Sequence, residues 1–233
     1  MEHRANPTDG QVLAGFYGKH PGFGDFVTAG LSAPLNGRLE FWLNTVLPDL
    51  RDGVGGAWES HYDAAPQMRI WIGPLLCPEG RGFCGVMTAA RDKVGRRFPL
   101  LAGVEGAGIA PPSVDPDQNI YDRIAGFLAD YTRRDEDARG LAAMFGAAVL
   151  PGLEPAEPLY APDFWAARRD GDVVRLWQDV AAADQIRAQA DRSYLWHADP
   201  AATALYVTQG LPGAAAFAWM MGADYTPPTP EGG

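Results

Sequence analysis

The spacing of apolar residues along the chain switches several times between a strand-like and a helix-like rhythm. VLAGFYG, residues 12–18, is a short apolar run that enters a glycine-rich turn, and it reads as a strand. In SAPLNGRLEFWLNTVLPDL the residues Leu35, Leu39, Leu43, Val46, Leu47 and Leu50 recur at three- and four-residue spacing, which predicts a helix with Ser32 as its N-cap. Three strand-like segments follow: QMRIWIGPL (67–75), GFCGVMTAA (82–90) and RFPLLAGVEG (97–106), joined by CPEGR and RDKVGR, which have hairpin chemistry. Such a series predicts an antiparallel meander and not a run of βαβ units.

Beyond it, Asp115 and Pro116 have N-cap and first-turn chemistry, and Ile120, Ile124, Phe127, Leu128 and Tyr131 form one apolar stripe of a second helix. RGLAAMFGAAVL predicts a third. After a proline-rich connection over 151–163, FWAARRDGDVVRLWQDVAAA reads as a helix interrupted near Gly171. YLWHAD and ATALYVTQ read as a final strand pair, and GLPGAAAFAWMMGAD as a closing helix. The sum is an α/β fold whose largely antiparallel sheet is covered by helices.

Composition narrows the function. The 233 residues are 47% hydrophobic and 21% charged, which fits one folded domain over 11–225 with disordered ends at 1–10 and 226–233. A net charge of −10 argues against nucleic acid and anionic membranes as partners. No run approaches the roughly 18 apolar residues of a membrane span, and MEHRANPTDGQ lacks the apolar core of a signal peptide, so a cytoplasmic location is expected. Cys77 and Cys84 bracket the turn PEGRG. A disulfide across it is geometrically possible, but two reduced, half-buried thiols are the expectation. The seven tryptophans are scattered as core anchors would be.

Two polar stretches are candidates for chemistry. GFYGKHPGFGDFV, residues 15–27, holds four glycines with Lys19, His20 and Asp25. It lacks the hydroxyl and the spacing of a phosphate-binding G-x-x-x-x-G-K-[ST] loop, and Gly22-Phe23-Gly24 runs into strand-like residues and not into the helix of a dinucleotide fingerprint. It reads as a turn shaped by Gly18, Pro21 and Gly24 that presents Lys19 and Asp25. RDKVGRRFP, residues 91–99, reads as a hairpin tip with Gly95 at its corner and Pro99 closing it. It sets Arg91, Lys93, Arg96 and Arg97 around Asp92 on an otherwise acidic chain, where they could receive a carboxylate or phosphate. His3, His20, His61 and His197 have no metal spacing, and none of the four serines lies in a nucleophile elbow. No metal, cofactor or catalytic residue is therefore expected.

Together, GFYGKHPGFGDFV, the FW-bearing helix, WESHYDAAPQMRIWI, GFCGVM, DKVGRRFPL, RSYLWHAD and GLPGAAAFAWMM resemble the TagF (ImpM) family associated with type VI secretion. Phe23 stands where the family usually carries a basic residue, and residues 88–91 replace a Pro-Ser-Val segment. The resemblance implies a single three-layer α-β-α sandwich. It implies a non-enzymatic, post-translational repressor that binds the forkhead-associated scaffold protein of the secretion system, with Lys19, Asp25, Arg96 and Arg97 as polar contributors. Two alternatives stay open: a structural component of the assembly, or a nucleotide- or phosphate-binding enzyme or nucleotide sensor built from the Lys19–Asp25 and Arg96–Arg97 loops.

Overall fold

In a computed structural model, residues 11–114, 116–131, 137–153, 166–198 and 203–228 are described. Among them, seven strands form one sheet: β1 (Leu13–Lys19), β2 (Phe26–Ala29), β3 (Met68–Ile72), β4 (Gly82–Thr88), β5 (Leu100–Gly106), β6 (Arg192–Ala198) and β7 (Thr203–Gln209). Their order is β2-β1-β5-β4-β3-β6-β7, and every pairing is antiparallel. Six helices accompany them among the described residues: α1 (Ala33–Val54), α2 (Trp58–Asp63), α3 (Asn119–Tyr131), α4 (Ala138–Val149), α5 (Val173–Arg187) and α6 (Ala214–Met220).

The period-2 rhythm of the strands sorts their side chains onto two faces. Tyr17, Ile70, Ile72, Phe83, Met87 and Leu101 pack with the apolar stripe of α1 and with Phe217 and Met220 of α6. Their neighbours in sequence, Phe16, Trp71, Cys84, Val86, Leu100 and Ala102, pack on the other side with Ile124 and Leu128 of α3 and Leu141 and Phe145 of α4. Each face of the sheet thus has its own helical cover. α1 begins as its sequence predicts: the Ser32 side chain accepts the Leu35 N–H and Pro34 lies in the first turn.

Several boundaries differ from expectation. β3 stops at Ile72 because Gly73-Pro74 turns the chain away, so residues 73–81 make a longer connection with a 3₁₀ turn and not a tight hairpin. Cys77 and Cys84 accordingly lie in the two different cores, both as free, fully buried thiols. Burial pushes each thiol up to about 12, which suppresses the reactive thiolate. α5 begins only at Val173, where Asp172 caps it after a turn at Gly171. The short helix α2 was not anticipated. Of the expected tail, Thr226 donates its N–H to the Gly53 carbonyl at 3.1 Å. The rest of that tail from Thr229, the first ten residues, Asp115, the proline-rich connection from residue 154 onward and the Trp165 position lie outside the described residues. Trp42, Trp71 and Trp196 are core anchors as expected, whereas Trp177 and Trp219 are exposed.

Candidate functional site

The two polar stretches meet. Gly18 sits near the end of β1 with φ +140°, and the Pro99 carbonyl of the second stretch occupies the place where a Cβ would stand, 2.0 Å from it. β1 then delivers Lys19 inward, where Nζ donates to Oδ2 of Asp92 at 2.6 Å. Asp92 opens the 91–97 loop. Its Oδ1 accepts the backbone N–H groups of Val94 (3.0 Å) and Arg96 (2.8 Å), and its Oδ2 also accepts Arg96 Nε at 2.6 Å. Arg96 reaches on with Nη2 to the Gly24 carbonyl at 2.9 Å, and the Lys93 N–H donates to the Phe23 carbonyl at 3.0 Å. Gly95, at φ +88°, makes the corner that lets Asp92 turn back on its own loop.

One buried carboxylate therefore clamps both loops. Burial pushes the Asp92 carboxyl up, but the hydrogen bonds from Lys19, from the Arg96 backbone and side chain, and from Val94 outweigh it and hold it well below the usual carboxylate range. The place an incoming anion would take between Lys19 and Arg96 is already filled by this side chain, and the Phe26 ring lies 5.4 Å from Lys19 Nζ. Lys19 is buried, and its ammonium faces Asp92 instead of solvent. Asp25 stays apart from the junction: it is exposed and accepts the N–H of Phe26 at 2.8 Å. Pro21 is exposed at the corner of the first loop.

Arg97 turns to the other side of its strand-like bridge with Arg91. Its Nη2 and Nε donate to the two oxygens of Asp63 at 2.8 and 3.1 Å, and Nη1 reaches Glu59 at 2.8 Å. Arg91 joins the same Asp63. The Arg97 and Arg91 guanidinium groups hold the Asp63 carboxyl down to about 2. α2 supplies both acids, and it is fixed by Tyr62, whose hydroxyl donates to the Ala90 carbonyl and accepts the Ala90 N–H, both at 3.1 Å.

Residues 15–146 match the TagF N-terminal domain, type VI secretion system-associated. The chain belongs to this family. A solved structure, PA0076 from Pseudomonas aeruginosa PAO1, is similar at 27% identity and a TM-score of 0.65, over 95% of this chain and 99% of that one. The structural likeness thus runs past the matched domain into the segment that holds β6, β7 and α6. No curated protein matches the chain.

In this TagF-family chain the junction also fixes a histidine. His20 is fully buried; Nδ1 accepts the Gly22 N–H at 3.0 Å, so Nε2 carries the proton and donates to the Tyr131 carbonyl at 3.0 Å. Burial lowers its pKa, a shift that the Tyr131 carbonyl only partly opposes. Between the lowered folded value and about 6.5, the unfolded chain takes up a proton that the folded chain refuses. The His20 contribution to stability is therefore complete above about 6.5 and is lost as pH falls below it. Urea midpoints measured at pH 7.5 and 5.5 are expected to drop on acidification, and His20→Gln is expected to shrink that drop. An equal pH response in both proteins would refute the assignment.

Beside the junction, α1, α2 and the 95–98 turn bound an open cleft of about 470 Å³, lined by Asn44, Leu47, Pro48, Arg51, Trp58, Glu59 and Arg96 among others. Of the residues singled out in the sequence, Arg96, Arg97 and Gly95 border this cleft, and Lys19, Gly18, Gly24 and Pro99 brace the loop behind it. Asp92, a lone acid among cations in the sequence, and Asp63, which carries no signal there, are the organising residues. A local signal for Asp92 existed: an Asp followed by Gly three residues later and Arg at the fourth is suited to a turn closed by its own side chain. Nothing local announces Asp63, whose partners lie 28 and 34 residues away. No group of three or more metal-ligating side chains occurs among the described residues, and none of the described helices is long and apolar enough to cross a membrane.

Proposed function

We propose that this chain is a non-enzymatic accessory protein of type VI secretion that restrains the system post-translationally. It acts in the cytoplasm by binding a component of the apparatus, with the forkhead-associated scaffold protein as target. The observation that carries this reading is the convergence of the two TagF-like blocks on the buried carboxylate of Asp92. A catalyst keeps an acid, base or nucleophile available to substrate. Here Lys19 and Asp92 are committed to each other, and Arg97 is committed to Glu59 and Asp63. Such mutual engagement makes a rigid, charged relief, which is what recognition of a macromolecule requires.

Affinity capture of the full chain from cells that carry the secretion system is expected to retain the scaffold protein, and purified components are expected to form the same complex. Deletion is expected to raise secretion. Failure to form a complex with purified scaffold would overturn the partner. Lost secretion on deletion would replace the restraining role with a structural one.

A further inference from the structure

We propose that the cleft between α1, α2 and the 95–98 turn is the docking groove, and that its occupant is an extended acidic segment of a protein partner. This inference rests on the binding role proposed above and gives it a place and a chemistry. Three cationic side chains line the cleft, Arg51, Arg96 and Arg97, against one acid, Glu59, whose carboxylate is held by Arg97 at 2.8 Å. Asp52, Asp63 and Asp92 pair with these arginines from outside the lining, so the cleft wall itself, with three cations to one acid, is a local excess of positive charge on a chain of net charge −10.

Two of those cations are open for use. Arg51 and Arg96 are each 61% exposed. Arg51 gives only Nε to Asp52, and Arg96 gives Nε to Asp92 and Nη2 to Gly24, so the Nη groups of Arg51 and Nη1 of Arg96 have no acceptor among the described residues. The indole N–H of Trp58 also lacks one there, while its ring packs against Tyr62 at 5.0 Å between centroids. Planar, multiply donating guanidinium groups suit carboxylates.

The footprint suits a stretch of chain better than a small ion. Phe41, 67% exposed, continues the same α1 face one turn before Asn44 and two turns before Pro48. From Phe41 to Arg51 the helix runs about 15 Å at its usual rise per residue. That is the reach of about four to five extended residues. Leu47, Pro48 and Phe98 give the groove apolar wall between the charges. The occupant therefore carries carboxylates for Arg51 and Arg96 with an apolar side chain between them.

The test uses the full chain and a synthetic octapeptide alternating glutamate and leucine. The indole N–H resonance of Trp58, assigned with Trp58→Phe, is followed during titration. It is expected to move and saturate, with apparent affinity weakening about tenfold or more as salt rises from about 50 to about 500 mM. Arg51→Glu and Phe41→Asp, both at exposed positions, are expected to abolish the movement while both variants stay folded at the measuring temperature, Arg51→Glu melting a few degrees lower for its place in the last turn of α1. Arg175→Glu on α5 carries the same charge change elsewhere and is expected to leave it intact.

An unmoved Trp58 resonance, or movement that persists in Arg51→Glu, would overturn the groove. Equal movement with an oligothymidine would overturn the assignment to protein. Capture of the scaffold separates the two readings. Scaffold bound equally by wild type and Arg51→Glu would remove the groove and leave the function. Peptide bound in the groove with no scaffold complex would remove the proposed target and leave the groove.

Discussion

Replacing Gly18 by alanine is expected to lower the melting temperature by about 10 °C, whereas Gly24→Ala, in the same glycine-rich block, is expected to change it by less than about 2 °C. The contrast is geometric. A Cβ on Gly18 would lie 2.0 Å from the Pro99 carbonyl oxygen and 2.8 Å from the Leu100 Cα, both backbone atoms that cannot swing aside. Its φ of +140° adds strain for any L side chain. Overpacking and backbone strain each contribute about 1–3 kcal/mol, so about 4 kcal/mol in total is expected. At Gly24 an added Cβ meets nothing within 4 Å. Relief of the clash requires β1 and β5 to part next to Lys19, so the variant is also expected to loosen the grip on Asp92. Differential scanning calorimetry decides the matter, and equal melting of the two variants would refute the close approach as the reason for this glycine.

Removal of the Glu105 side chain is the second large effect, and it acts far from the candidate groove. Glu105 is fully buried on β5, where Oε1 accepts Arg81 Nε at 3.1 Å and Ser32 Oγ at 2.8 Å, and Oε2 accepts the Ser32 backbone N–H at 3.0 Å. It thus stands at the N-terminus of α1, where the helix dipole favours a negative charge. Glu105→Ala takes the carboxylate from a guanidinium that is 8% exposed and strips the cap residue of its support. Breaking a buried pair from one side costs about 3–5 kcal/mol. Glu105→Gln keeps an acceptor for Ser32 without the charge and is expected to recover part of the loss. Chemical denaturation of the three proteins measures this order, and a stable Glu105→Ala would show that the pair contributes nothing net.

Much of the architecture was legible because it is encoded in neighbours. The leucine stripe of α1 and its Ser32 cap depend on contacts three and four residues apart, and the structure has both. The strand segments β3 to β7 were legible as short apolar runs, although the end of β3 was not, since Gly73-Pro74 acts on single residues. α2 escaped notice because six residues, WESHYD, carry too short a period to register. The turn in the glycine-rich block was legible on spacing alone, and the chain turns there at residues 21–22.

The candidate site was legible in its members but not in its wiring. Lys19 and Arg96 were singled out as cations facing a partner, yet Lys19 turns inward to an aspartate 73 residues away, and only Arg96 remains at the surface. Arg51 and Trp58, which complete the cleft, belong to the helices α1 and α2, at positions that carried no chemical signal.

By itself, then, the sequence determined the segments that alternate, the segments that coil, where helices start, and the family whose blocks it carries. Those properties arise from interactions within a turn or a strand. The tertiary structure alone decided the strand order β2-β1-β5-β4-β3-β6-β7, the separation of Cys77 from Cys84 into two cores, and the choice of Asp92 as the common partner of Lys19 and Arg96. Each of these follows from burying two faces of one sheet at once: the packing brings distant residues together, and a charge carried inward must find its counter-charge there.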